Sequence, residues 1–198
     1  MRHLTALDQF IVQADHALRT VLGRPRVTER PNPAEDALDV DMDAAERKHA
    51  AGLMRVNHSG EVSAQALYQG QALTARLEEV RHSMERAALE ENDHLAWTEQ
   101  RLQELDSHKS LLNPLWYTGS FAIGALAGAI GAKWSLGFVS ETDHQVIRHL
   151  DAPLSRFPPP DIQSQLLLAQ IQQDDPHHPH TPLESGGAEP PIPLKFVE

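Results

Sequence analysis

Residues Glu90 to Leu102 read EENDHLAWTEQRL, and together with the two turns before them they decide the fold. Met84, Ala87, Ala88, Glu91, His94, Leu95, Thr98 and Leu102 recur at intervals of one, three and four, the spacing that lines up side chains along one face of an α-helix. Two ionisable residues interrupt this otherwise apolar stripe. Burying a carboxylate or an imidazole without a partner is costly, so Glu91 and His94 need one. Being three apart, they stand about 60° apart around a helix and about 4.5 Å apart along it, close enough to hold one ion together. A single Glu-x-x-His also occurs on solvated helices, so the rest of the chain has to decide its meaning.

Working outward, the helical period holds from about Val80 to Leu105, and a longer Ala-rich helix is expected over Asp43 to Leu77, weakened at Gly52, Gly60 and Gly70. Upstream, Leu4 to Val21 reads as an amphipathic helix with Leu7, Phe10, Ile11, Ala14, Leu18 and Val21 on one face. An acidic, Pro-bearing linker runs from Gly23 to about Asp41. Downstream, Ser110 to Ala132 contains no charged residue, and Gly119, Gly124, Gly128 and Gly131 recur through it. A further helix is expected over Leu136 to Leu150, followed by the breaker Arg156-Phe157-Pro158-Pro159-Pro160 and a last apolar run, Ile162 to Ile171. The Pro- and Gly-rich tail, Pro176 to Pro193, should be irregular. No Asn-Gly turn separates alternating strands. The chain therefore reads as all-α, divided into a helix and linker (1–41), a bundle (42–180) and a tail (181–198).

Composition narrows the chemistry. The 198 residues suffice for one domain, and 40% hydrophobic with 23% charged residues is a globular balance. There is no cysteine, which excludes disulfides, thiolate zinc, iron–sulfur clusters and cysteine nucleophiles, so any metal must be held by nitrogen and oxygen. A net charge of 17 − 28 = −11 argues against nucleic acid as a partner. Asp8 and Asp15 fall where a signal peptide would be apolar, so the amino terminus reads as uncleaved and intracellular.

The carboxylate and imidazole pattern repeats. Glu61 precedes Glu91 by 30 residues, Asp143 precedes Asp175 by 32, and Asp175-Pro176-His177-His178 restates the carboxylate-x-x-His spacing. Two helices giving one carboxylate each and two giving a carboxylate-x-x-His pair is how a ferritin-like di-iron or di-manganese bundle builds its site. Asp143 falls on a face with Leu136, Val139, Val146, Ile147 and Leu150, and Asp175 aligns with Leu168 and Ile171. Glu61 shares a mixed face with His58, Ala64, Gln65 and Tyr68, so periodicity leaves its direction open. Taken singly, Glu61 reads first as a solvated helix charge, with Asp143 open to reading as an N-cap and His177 to His180 as an exposed metal-binding tail.

The stretches LMRVNHSGEVSAQALYQGQA (Leu53 to Ala72), EENDHLAWTEQRL, NPLWYTGSFAIGALAGAIG, the HLD at His149 to Asp151 and LESGGAEPPIPLK resemble the demethoxyubiquinone hydroxylase family of ubiquinone biosynthesis. The resemblance covers almost the whole chain. It implies a ferritin-like di-iron monooxygenase that uses O2 to hydroxylate the ring of a polyprenylated demethoxy-benzoquinol. It implies Glu61, Glu91, His94, Asp143, Asp175 and His178 as metal ligands, with His149 near the site. The family carries Glu where this chain has Asp143 and Asp175, and it lacks prolines at positions such as Pro176 and Pro179. A carboxylate shortened by about 1.5 Å, one carbon–carbon bond, and a helix-breaking proline predict two irons per subunit, the second held more loosely at Asp175 and His178.

Two other roles use the same residues: a ferritin-like iron buffer or ferroxidase, and a site-impaired lipid-binding partner in a quinone-biosynthesis complex. The uncharged segment favours the hydroxylase, because an iron store has no use for it. It is long enough by count to span a bilayer, but Asn113, Pro114, Thr118 and its glycines favour a helix lying on the cytoplasmic face of the cell membrane. In that reading Trp116, Tyr117 and Trp134 sit at the interface, the glycines open a slot for an isoprenoid tail, and other ubiquinone-biosynthesis proteins are candidate partners. A buried core helix is the alternative.

Overall fold

The computed structural model describes residues 5–25, 27–28, 30–38, 41–131 and 156–174. Among them are five helices and no strand: α1 (Ala6–Val21), α2 (Ala44–Thr74), α3 (Glu78–Glu104), α4 (Asn113–Ile130) and α5 (Ile162–Asp174). The architecture is that of a ferritin-like helical bundle: the helical periodicity predicts its all-α class, and the repeated ligand spacing and the resemblance its ferritin-like form. The helix expected over Leu136 to Leu150 and the carboxyl-terminal tail lie outside the described residues.

The helix starts follow local chemistry. Thr5 and Asp8 form a reciprocal capping box on α1, and Asp43 and Glu46 form another on α2, each satisfying backbone N–H groups that lack a helical partner. Pro114 occupies the first turn of α4, where its missing N–H costs nothing. With 31 residues, α2 runs unbroken through all three of its glycines.

Gly70 explains why a residue unfavourable for a helix sits there. A Cβ on Gly70 would lie 2.3 Å from the Phe121 carbonyl oxygen, one on Gly124 2.2 Å from that of Leu67, and one on Gly128 2.3 Å from Thr74 Oγ1. The backbones of α2 and α4 therefore touch, and Thr74 Oγ1 donates to the Ala125 carbonyl at 2.8 Å across the contact. This corrects the expectation of a glycine-lined slot for a lipid tail: Gly124 and Gly128 are closed by α2. A buried hydrogen bond from the Tyr117 hydroxyl to Gln69 pins the same pair of helices.

The core has three parts. Tyr68, Ala72, Val80, Met84, Ala87 and Ala88 pack at the closed end of the α2–α3 hairpin. Val62, Ala66, Leu95 and Tyr117 join α2, α3 and α4, with Ala17 and Val21 of α1 against them. Met54, Trp97, Leu102, Leu167, Leu168 and Ile171 seat α5 on α2 and α3. Arg101, buried on α3, ties down the start of α5 by donating to Asp161 Oδ1 at 2.8 Å and to Ser164 Oγ at 3.1 Å.

One amphipathic face turns the other way. Leu7, Ile11 and Leu18 of α1 are exposed, whereas Gln13, Ala17 and Thr20 face the bundle. On α4, Leu115, Trp116, Ile123, Leu126 and Ile130 are exposed as well. No helix among the described residues is long and apolar enough to cross a membrane.

Candidate metal centre

The α3 stripe is buried throughout: Met84, Ala87, Ala88, Glu91, His94, Leu95, Thr98 and Leu102 all lie inside. Glu61, whose direction the sequence leaves open, also points inward from α2. It meets α3 because the hairpin sets the middles of the two helices side by side. His94 Nδ1 lies 3.5 Å from Glu61 Oε2 and 3.4 Å from Glu91 Oε2. One ligand atom from each of Glu61, Glu91 and His94 falls within 4.8 Å of the others, a spacing that could hold a metal ion.

The other side of His94 is fixed. Its Nε2 lies 3.1 Å from Asp174 Oδ2 at the end of α5, so the ring is held by its outer nitrogen while Nδ1 faces the two glutamates without a hydrogen bond. A carboxylate on the far nitrogen of a metal-binding imidazole sets its tautomer and orientation. Electrostatics agree with the geometry. Burial alone would lower the His94 pKa, but the carboxylates of Asp174, Glu61 and Glu91 raise it well above its ordinary value. Burial likewise pushes Glu61 up, and His94 overrides it, leaving the carboxylate below its usual range. The cluster thus carries negative charge that a cation must balance, and without a metal the imidazolium supplies it.

Asp143, Asp175, His178 and His149 lie outside the described residues. Asp174, which the spacing argument passes over in favour of its neighbour, is the residue brought to His94. The only sequence signal for it is the Asp174-Asp175 pair itself. His58, one turn before Glu61, is also buried; burial and nearby Lys109 push its pKa down to about 4 against the pull of Glu61, so it stays neutral. Its Nδ1 lies 3.4 Å from Asn113 Nδ2, joining the start of α4 to the middle of α2.

Beside the centre, α1, α2 and α3 enclose a cleft of about 410 Å³. Val12, Gln13 and His16 line it from one side, and Gln65, Ala88 and Asn92 from the other. Gln65 is one turn from Glu61, and Asn92 adjoins Glu91. Gln65 Nε2 donates to Asn92 Oδ1 at 2.9 Å, leaving Gln65 Oε1 buried without a hydrogen bond.

Bundle and site together define a ferritin-like helical protein with an internal carboxylate–imidazole cluster suited to a metal ion. The family of ubiquinone biosynthesis protein COQ7 matches residues 48–197, and the chain belongs to that family. Its relatives include proteins named 3-demethoxyubiquinol 3-hydroxylase. The one from Nitrosococcus oceani is 54% identical over 99% of this chain and 92% of its own length. That from Acinetobacter baumannii is 53% identical over 100% and 93%, and that from Pseudomonas putida 53% over 98% and 91%.

Proposed function

We propose that this protein is a 3-demethoxyubiquinol 3-hydroxylase, an O2-dependent monooxygenase acting on the ring of a polyprenylated benzoquinol in ubiquinone biosynthesis. The observation that carries the reading is identity above half, along essentially the whole chain, to relatives of that name. The donor set fits the chemistry. Carboxylates with an imidazole suit iron, and His94 Nδ1, buried and free of hydrogen bonds, is a ligand atom in waiting. Glu61, Glu91 and His94 would hold one iron, with Asp143, Asp175 and His178 completing a two-iron set of which the second half is looser.

Bound iron would supply the activation of dioxygen that ring hydroxylation needs. The protein's own residues do the rest. Asp174 holds the His94 ring by Nε2 with Nδ1 toward Glu61 and Glu91, Thr98 closes the next turn by donating back to the His94 carbonyl at 2.8 Å, and burial excludes water from the three residues that would hold the ion. The cleft beside the centre offers the quinol ring apolar surface from Val12, Ala72, Leu73, Ala88 and Leu89 among polar neighbours. The test is anaerobic loading with ferrous iron, addition of a demethoxyquinol, then oxygen. Hydroxylated quinol is expected at one per turnover, and oxidation of iron without product would instead mark a ferroxidase.

The substrate and the surface support attachment to a membrane. Leu126, at 66% exposure, lies with Trp116 on the charge-free exposed surface of α4, and Leu111, two residues before the helix, is 87% exposed. Leu7 of α1 and Leu22, just past its end, are exposed as well. A face of this kind suits peripheral binding at the cytoplasmic leaflet, from which a long-tailed quinol can enter. Carbonate washing of membranes should release the protein. Leu126→Glu should lower its partition onto vesicles by about tenfold or more, since burying a leucine side chain contributes roughly 1.5–3 kcal/mol. Retention in the washed pellet would contradict this attachment.

A further inference from the structure

The linker between α1 and α2 lies outside the residues that match the family, 48–197, yet its fastenings converge on the metal centre. The Thr28 N–H donates to Asp93 Oδ1 at 2.7 Å, and its hydroxyl donates to the other oxygen of the same carboxylate. Asp93 is fully buried and immediately precedes His94. Arg30 Nη2 donates to Asp174 Oδ2 at 2.6 Å, the oxygen that also meets His94 Nε2. The Arg30 guanidinium lies 5.1 Å from the centre of the Trp97 ring, which itself stands 5.6 Å from the His94 ring. Further along, Asn32 Nδ2 donates to Gln100 Oε1 at 3.3 Å, and the Ala37 carbonyl accepts from Gln163 of α5 at 3.2 Å.

The register is regular. Linker positions 28, 30 and 32 meet α3 at 93, 97 and 100. The chain therefore runs along α3 beside the turn that carries His94, then crosses to α5. An exposed ion pair such as Arg30–Asp174 is worth little by itself, so the significance of this one lies in where Asp174 points.

We infer that the linker, fastened at Thr28, Arg30, Asn32 and Ala37, acts as a strap that positions the metal-holding turn of α3, with Arg30 acting through Asp174 to keep His94 Nδ1 directed inward. Arg30 is a positioning residue: it touches no ligand atom of the cluster. Its charge holds the Asp174 carboxylate on His94 Nε2, and its stacking on Trp97 keeps that charge in place. The inference rests on the metal reading above.

The test is cobalt(II) titration of the full-length, metal-stripped protein, followed through the visible absorption of the bound ion, with melting of the metal-free protein measured in parallel. Arg30→Gln should weaken cobalt binding by about tenfold, the lower end of what outer partners of a metal ligand contribute. Arg30→Lys, which keeps the charge, should recover part of that loss. Combining Arg30→Gln with Asp174→Asn should bind no worse than Asp174→Asn alone, because both act on the same imidazole. A change under twofold for Arg30→Gln, or losses that multiply in the double variant, would overturn the proposal. So would a lower melting temperature with unchanged cobalt binding and absorption, the mark of a merely structural strap. If Arg30→Gln does not fold, Arg30→Lys alone decides, through a shifted cobalt band or none. Failure of the unmodified protein to bind cobalt would overturn the metal reading and the strap together.

Discussion

Glu91→Ala and His94→Ala proteins are expected to fold, to bind ferrous iron more than about 100-fold more weakly than the parent, and to form no hydroxylated quinol. The magnitude follows from rank order: partners outside the ligand shell alone are worth about 10–100-fold in metal affinity, and a ligand must be worth more. Retention of the fold follows from what the cluster costs when it holds no metal. Three ionisable groups are buried together, and their mutual charge compensates desolvation that alanine does not incur. Glu91→Ala removes one buried carboxylate and leaves His94 between Glu61 and Asp174. His94→Ala leaves two buried carboxylates facing a void and should be the less stable of the two. Equilibrium dialysis against ferrous iron, with single-turnover product analysis, checks both. A full metal complement in either variant would mean that the cluster is a structural ion pair.

The parts of this site legible in the sequence are those on one helix. Glu91 and His94 share a face with Met84, Leu95 and Leu102, so the period that reveals the core also reveals the ligands. Glu61 escapes the same reading because α2 is covered on two sides, by α3 and by α4. Asn57, His58, Gln65, Gln69 and Gln71 are all buried along it, and no apolar stripe is left to count from. Asp174 escapes for another reason: counting residues between repeats favours its neighbour, and which of two adjacent carboxylates reaches His94 depends on how α5 is rotated on α3. The α4 glycines show the limit of composition. Small residues in an apolar run fit both a lipid slot and a close helix crossing, and only the distances from Gly124 and Gly128 to α2 separate the two. The outward stripe of α1 has the same lesson, since an apolar face can serve a surface as well as a core.

One buried arginine holds the start of α5 on α3, and replacing it should have the largest effect on stability. Arg101→Met is expected to cost about 3–5 kcal/mol, because removing one partner of a buried ion pair leaves the other uncompensated. Asp161 is that partner: it is buried, and its Oδ1 accepts from Arg101 Nη2 at 2.8 Å and from the Ser164 N–H at 3.1 Å. The same oxygen therefore caps the start of α5 and receives the guanidinium. Gln163 and Glu104 both accept from Arg101 Nη1, the latter at 2.9 Å. Against a total stability of roughly 5–15 kcal/mol, the loss would be plain in the urea midpoint. Adding Asp161→Asn should restore part of it, since asparagine keeps an acceptor for the helix start without a charge to bury. The effect should also reach the far end of the helix. From Ile162 to Asp174, α5 is 13 residues long, and loosening its anchor lets Asp174 drift from His94. Arg101→Met should thus weaken ferrous binding even under conditions where the variant is fully folded, and the double variant should recover both properties together. A loss below about 1 kcal/mol for Arg101→Met, or recovered stability without recovered metal binding, would show that α5 is held chiefly by Leu167, Leu168 and Ile171 and not by its first turn.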